Sequence, residues 1–146
     1  MAHNAAVRAM VDAGQLGKAL PESAQIQQYI ANAEGMFADA TRAENSRHER
    51  FTLAYEGIHS LAMAFLLYFG ARPGGGDGHR VKALQIYIQQ VGLNSHFRLL
   101  DEIHNVRNNL TYDKPSPPVS QALMNSTIAL LSDCIVATRK AVAESL

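Results

Sequence analysis

Apolar residues recur at spacings of three and four along nearly the whole chain, the rhythm of helices with one buried face. Ile26, Tyr29, Ile30, Ala33, Phe37 and Ala40 keep this rhythm and predict a long helix over residues 22–45. A shorter helix over residues 4–13 is expected to start after Asn4, a good N-cap. Gly14 and Gly17 interrupt it, and Pro21 resets the chain. A third helix is expected over residues 47–70, after a break at Asn45 and Ser46. Its first half is amphipathic, but from Leu61 to Phe69 it is apolar on every side, as befits a central, buried helix. Gly70 is a fitting stop, and Pro73 bars continuation.

The stretch "RPGGGDGHR" over residues 72–80 reads as a flexible connection. It lacks the preceding strand and the Lys-Ser/Thr ending that a phosphate-cradling loop needs. A fourth helix is predicted over residues 79–91, with Val81, Leu84, Ile86, Tyr87, Ile88 and Val91 apolar and Gly92 at its end. A fifth is predicted over residues 95–111, capped by Asn94 or Ser95. Pro115, Pro117 and Pro118 then force a turn, since none can continue a helix interior. The last helix is expected over residues 118–144, with Ser116 and Pro117 as N-cap and first-position pair. Its apolar face holds Val119, Leu123, Ile128, Leu131, Ile135, Val136 and Val142. No segment alternates as a strand should. The expected class is all-α: an antiparallel up-down bundle of about five long helices plus a short N-terminal one, in one domain over residues 1–146.

Composition narrows the setting. With 146 residues, 47% hydrophobic and 18% charged, the chain can bury a sizeable core. A formal net charge of zero gives no footprint for duplex DNA, although it leaves room for a local basic patch. One cysteine excludes an internal disulfide and fits a reducing compartment. That residue, Cys134, lies in "IALLSDCIVA" and reads as a small buried hydrophobe. The longest apolar stretch, "LAMAFLLYFGA", falls short of the roughly 20 residues of a membrane span, and no secretory leader is evident. A cytoplasmic protein is expected. No His, Cys or acidic residues have metal-ligand spacing, so neither metal nor cofactor is expected.

Candidate chemistry concentrates in "HNVRNNLTYD" over residues 104–113. At about 100° per residue, Leu99, Ile103, Val106 and Leu110 form an apolar stripe. Beside it runs a polar stripe of His104, Arg107, Asn108, Thr111 and Tyr112. Arg107 lies closest to the apolar edge, where a charge needs a partner. The stripe offers a permanent cation, an amide, a phenol and an imidazole. A guanidinium fork suits phosphate oxygens, so the stripe is equipped to hold an RNA backbone and to stabilise charge during phosphodiester cleavage.

Three stretches resemble the HEPN superfamily, small all-helical domains of prokaryotic toxin–antitoxin and defence systems. They are "MVDAGQLGKALPES", "ERFTLAYEGIHSLAMAFLLYFGARPGGGDGH" and "LDEIHNVRNNLTYDKPSPPVSQAL". The last is similar to the segment with the family's signature, an Arg followed by a polar residue and then a His four to six positions further on. The resemblance implies an antiparallel helical homodimer whose signature segments face each other, and frequently metal-independent RNA cleavage. In that scheme Arg107 holds the scissile phosphate and Asn108 positions it. Tyr112 stands where the signature His is expected, and a phenol of pKa about 10 is a poor base at neutral pH. Two readings stay open: an RNA-binding or RNA-cutting toxin or defence component acting through Arg107, Asn108 and Tyr112, and an inactive dimerising module. The latter would bind a nucleotidyltransferase partner or a nucleotide; on either reading an antitoxin is a candidate partner protein.

His79 and Arg80, at the opening of the fourth helix, are candidates for a second phosphate contact reaching the His104 and Thr111 stripe, or simply a polar helix start. His59, near Glu56, reads as a core histidine with a hydrogen-bond partner. His3, His48 and His96 read as surface residues, and Tyr55, Phe65, Tyr68, Phe69 and Tyr87 as core.

Overall fold

A computed structural model of the chain describes residues 2–74, 79–111 and 119–144. They contain six α-helices: α1 (Ala2–Asp12), α2 (Ser23–Ala40), α3 (Arg47–Tyr68), α4 (His79–Gln90), α5 (Phe97–Thr111) and α6 (Gln121–Glu144). A 3-10 turn (Asn94–His96) leads into α5, and two strands, β1 (Leu16–Lys18) and β2 (Ala71–Pro73), complete the order. The chain is thus mostly helical, and α3 packs against both α2 and α6.

The pair of strands departs from the sequence reading, which expected none. β1 and β2 run antiparallel, with Leu16 opposite Pro73, Gly17 opposite Arg72 and Lys18 opposite Ala71. Three residues per strand are too few to show alternation. The partners follow α1 and α3, so their pairing depends on where those helices end.

Helix ends also move, each for a local reason. α1 starts at Ala2, so Asn4 lies inside the helix rather than capping it; alanines at 2, 5 and 6 are the strongest helix formers. α2 stops at Ala40 because side chains take over its last carbonyls. Thr41 Oγ1 donates to Ala38 O at 2.8 Å, Asn45 Nδ2 to Asp39 O at 2.8 Å and Arg50 Nε to Ala40 O at 2.7 Å. Ser46, expected only as part of a break, caps α3, its hydroxyl accepting from Glu49 N at 3.1 Å. The 3-10 turn starts after Leu93 without a side-chain cap, so neither Asn94 nor Ser95 takes that role. At α6 the capping hydroxyl is that of Ser120, which accepts from Leu123 N at 3.0 Å; Ser116 and Pro117 lie outside the described residues. Gly70 and Gly92 follow α3 and α4 with φ of 82° and 80°, the left-handed turn that glycine makes without steric cost.

The second half of α3 lies at the centre of one continuous hydrophobic cluster. Leu61, Ala62, Ala64, Phe65, Leu66 and Leu67 are all buried. Tyr87 of α4 joins them and shares a 2.6 Å hydrogen bond with Thr138 of α6. Cys134 is buried beside it as a free thiol, and burial pushes its pKa up to about 12. On α5 the deepest residues are Leu100 and Ile103, while Leu99 and Val106 are only partly buried. The core-facing stripe is therefore turned from the expected one towards Leu100. Val136 is 67% exposed, because the buried side of α6 there follows Leu131, Cys134 and Thr138. Tyr68 and Phe69 are half-buried at the end of α3. His3 is half-buried rather than superficial: its ring meets Phe65 edge-on at 5.5 Å and its Nδ1 lies 3.2 Å from Gln90 Oε1. His96 is half-buried too, 4.0 Å from Asp133, and His48 is exposed.

Candidate anion-binding site

Three helices bring charged and polar groups to one place. From α3 come Tyr55, Glu56 and His59, two of them one helical turn apart on the same side. From the first turn of α4 comes Arg80. From α5 come His104, Arg107 and Asn108, also at three and four, which lines them up beside the partly buried edge of that helix.

Glu56 is the centre of the arrangement. Arg80 Nη2 donates to both of its carboxylate oxygens, at 3.2 and 3.4 Å. Arg107 Nη2 donates to Oε1 at 3.4 Å. Both guanidinium carbons also stand 5.4 Å from the centre of the Tyr55 ring, each in cation–π range. Glu56, Arg80 and Arg107 are about one-third, one-third and one-quarter exposed, so the group is recessed yet open to solvent. Two guanidiniums thus share one carboxylate.

The neighbours respond to these charges and to burial. Burial, helped by Arg80 and Arg107, lowers the pKa of His59 to about 4. His104 is lowered for the same reasons, burial first and then Arg107 and Arg80. Both imidazoles are therefore neutral at pH 7. Burial raises the pKa of the Tyr55 phenol, and the arginines oppose this only in part, so it keeps its proton.

Hydrogen-bonding capacity is left over here. Asn108 Nδ2 lies 3.2 Å from His104 Nε2. When the amide donates in that contact, the ring proton sits on Nδ1. Among the described residues, the buried side-chain polar atoms without a partner are Tyr55 Oη, Arg80 Nε and His104 Nδ1. All three belong to this cluster. Arg80 is near enough to Tyr55 to influence the phenol's acidity, but no donor or acceptor meets Oη in hydrogen-bonding geometry. Buried polar groups normally find partners. Three unspent groups beside two guanidiniums suit an acceptor-rich anion.

The residues singled out in the sequence distribute unevenly. His104, Arg107, Asn108 and Arg80 come together. His79 is the first residue of α4 and Thr111 the last of α5, with side chains outside the described residues, and Tyr112 lies outside them altogether. Three contributors do not stand out in the sequence as site residues. Glu56 appears there only as a neighbour of His59. Tyr55 is core, as the sequence predicts, but the face of its ring supports two cations. His59, expected as a core histidine, is half-buried beside the arginines. The available signal is a carboxylate on the central helix, whose second half is apolar, because a charge in such surroundings needs a cation.

No family model, curated protein or solved structure matches the chain. Among the described residues no helix is long and apolar enough to cross a membrane, and no three His, Cys, Asp or Glu side chains are grouped to hold a metal ion.

Proposed function

We propose that this chain is a HEPN-like protein that acts on RNA by holding a backbone phosphate at Arg107 and Arg80. The observation that carries the reading is the pair of guanidiniums on one carboxylate, with Tyr55, Arg80 and His104 still holding unspent hydrogen-bonding groups. Arginine presents a planar fork to phosphate oxygens, and charge-assisted bonds of this kind are the strong ones. Membership of a toxin–antitoxin or defence system and pairing of two chains across their signature segments belong to the same reading. A homodimer would sediment as a species near twice 15.9 kDa; a single species of monomer mass at micromolar concentration refutes that part.

Binding is tested with a short single-stranded RNA. Arg107→Ala is expected to weaken it about ten-fold or more, the worth of one hydrogen bond between charged groups. It should also reduce the slope of log affinity against log salt by about one contact. Equal affinity and equal salt slope for the two proteins would remove Arg107 from the site.

Cleavage is a second reading, favoured by His104. This imidazole is neutral and adjoins Arg107; its Nε2 takes up a proton by releasing the Asn108 amide, although the signature His is replaced by Tyr112. RNA incubated with the wild type in a chelator would then be cut, and Arg107→Ala would abolish cutting. Intact RNA in both samples confines the protein to binding.

A further inference from the structure

A second cleft lies towards the other end of α3. Tyr68 stands twelve residues after Glu56, about 18 Å along the helix at 1.5 Å per residue. There one side of α1, the chain leaving β1 and the end of α3 border a space of about 610 Å³, within the roughly 300–1,000 Å³ of small-molecule sites. We propose that this cleft binds a small molecule that carries an anionic group, carboxylate or phosphate, on a flat aromatic body. It is separate from the arginine site and does not depend on the RNA reading.

Two cations and two rings on its walls indicate the ligand. Arg8 and Lys18 line the cleft and are exposed. Among the described residues neither side chain has an ion pair or a hydrogen bond. Asp12 is the one carboxylate on the walls. It stands one turn after Arg8, and base before acid is the weaker order for a helical pair. Both helices also end here, and helix ends carry partial negative charge. Turn amides close those carbonyls: Gly14 N donates to Val11 O, Gln15 N to Met10 O and Gly70 N to Leu67 O. Two full positive charges on the walls therefore stand against one carboxylate. Another part of the wall is aromatic. Tyr68 and Phe69 meet edge to face with ring centres 5.0 Å apart, and Phe69 packs on Phe65 at 4.9 Å. Both are half-buried and offer a firm surface to a flat ligand. Leu20 also lines the cleft and is 84% exposed; covering it with a ring removes apolar surface from water. An anion alone would leave the rings wet, and a neutral ring alone would leave the cations unused.

The test titrates the full chain calorimetrically with two complete ligands, 1-naphthoate and adenosine 5′-monophosphate. Their uncharged counterparts, 1-naphthamide and adenosine, and inorganic phosphate are the partial ligands. At least one complete ligand is expected to bind about ten-fold more tightly than its uncharged counterpart, the worth of two exposed ion pairs, and more tightly than inorganic phosphate. Binding of naphthoate alone assigns a carboxylate, and of the monophosphate alone a phosphate. Arg8→Gln combined with Lys18→Gln should remove the ten-fold margin and leave the uncharged ring as it was. Asp12→Asn removes a repulsion and should tighten the complete ligand about three-fold. Leu20→Ser should weaken the complete ligand and its uncharged counterpart alike. All four positions are exposed, where substitutions rarely disturb folding. Arg107→Ala should hold the complete ligand as wild type does, whereas a phosphate seated at the arginines of α4 and α5 would be lost in that variant and indifferent to Arg8 and Lys18.

Three results would overturn the cleft as an anion site: no margin of either complete ligand over its uncharged counterpart, a margin that survives loss of both Arg8 and Lys18, or weaker binding in Asp12→Asn. None of them bears on the RNA reading, which stands or falls with Arg107→Ala on single-stranded RNA.

Discussion

His59 shows how a residue's chemistry depends on what is packed near it. The sequence places it one turn after Tyr55 on a largely apolar helix, where a core histidine with a hydrogen-bond partner is expected; the ring is instead half-buried. Arg80 and Arg107, from other helices, add a field that opposes protonation, and the pKa falls to about 4. In the unfolded chain it returns to about 6.5. The folded pKa is depressed, so unfolding takes up a proton at any pH between these values. Stability from the neutral ring is complete above pH 6.5 and is lost as pH falls towards 4. His59→Gln is therefore expected to flatten the fall in melting temperature between pH 7 and pH 4 relative to wild type. Parallel curves would show that the acid sensitivity comes from other groups. Arg107 and Asn108 stood out in the sequence because their helix carries a clear polar stripe. Glu56 did not, because its two partners lie 24 and 51 positions away, and no local spacing encodes that meeting.

Elements were readable in proportion to how local their causes are. The long helices follow from a rhythm of three and four that spans many turns, so all six appear in the expected order. Their ends follow from single hydrogen bonds. Ser46 could be read, since a hydroxyl three residues before a Glu is a local signal. The stop of α2 could not, because Arg50 reaches its last carbonyl from the next helix. The β1–β2 pair is the extreme case. Its residues have no strand pattern, and Pro73 even lacks an amide proton to donate. The ladder forms because the chain leaving α1 passes the chain leaving α3, and it is extended by Ala19 N donating to Gly70 O at 2.9 Å. Its physical origin is tertiary, and a single-sequence pattern contains no trace of it. The same holds for the candidate site. One helix of it, α5, is visible as a stripe; the contributions of α3 and α4 arise only when the helices pack.

At the scale of the molecule, the close approach of α3 to α6 is what fixes the centre. Gly57 lies in the buried middle of α3. A Cβ added there would stand 2.8 and 2.9 Å from the two methyl carbons of Leu131. Leu131 is fully buried on α6, so its methyl groups have little room to turn away. Two effects then oppose each other in Gly57→Ala. Alanine is the better helix former by about 1 kcal/mol, whereas overpacking a full core costs about 1–3 kcal/mol. The clash is with a packed side chain rather than a loose one, so overpacking should win and the variant should be less stable by up to about 2 kcal/mol in chemical denaturation. Leu131→Ala removes the obstructing methyls and should make Gly57→Ala neutral or favourable in that background, a coupling that a double-mutant cycle reads directly. Gly57 also adjoins Glu56, and a widened α3–α6 spacing would turn α3 and with it the carboxylate that meets both arginines. The destabilised Gly57→Ala protein should therefore lose RNA affinity even at temperatures where it remains folded, and the Leu131→Ala background should restore it. Wild-type stability in Gly57→Ala would mean that the core yields at this point and that the glycine is not what sets the distance between the two helices.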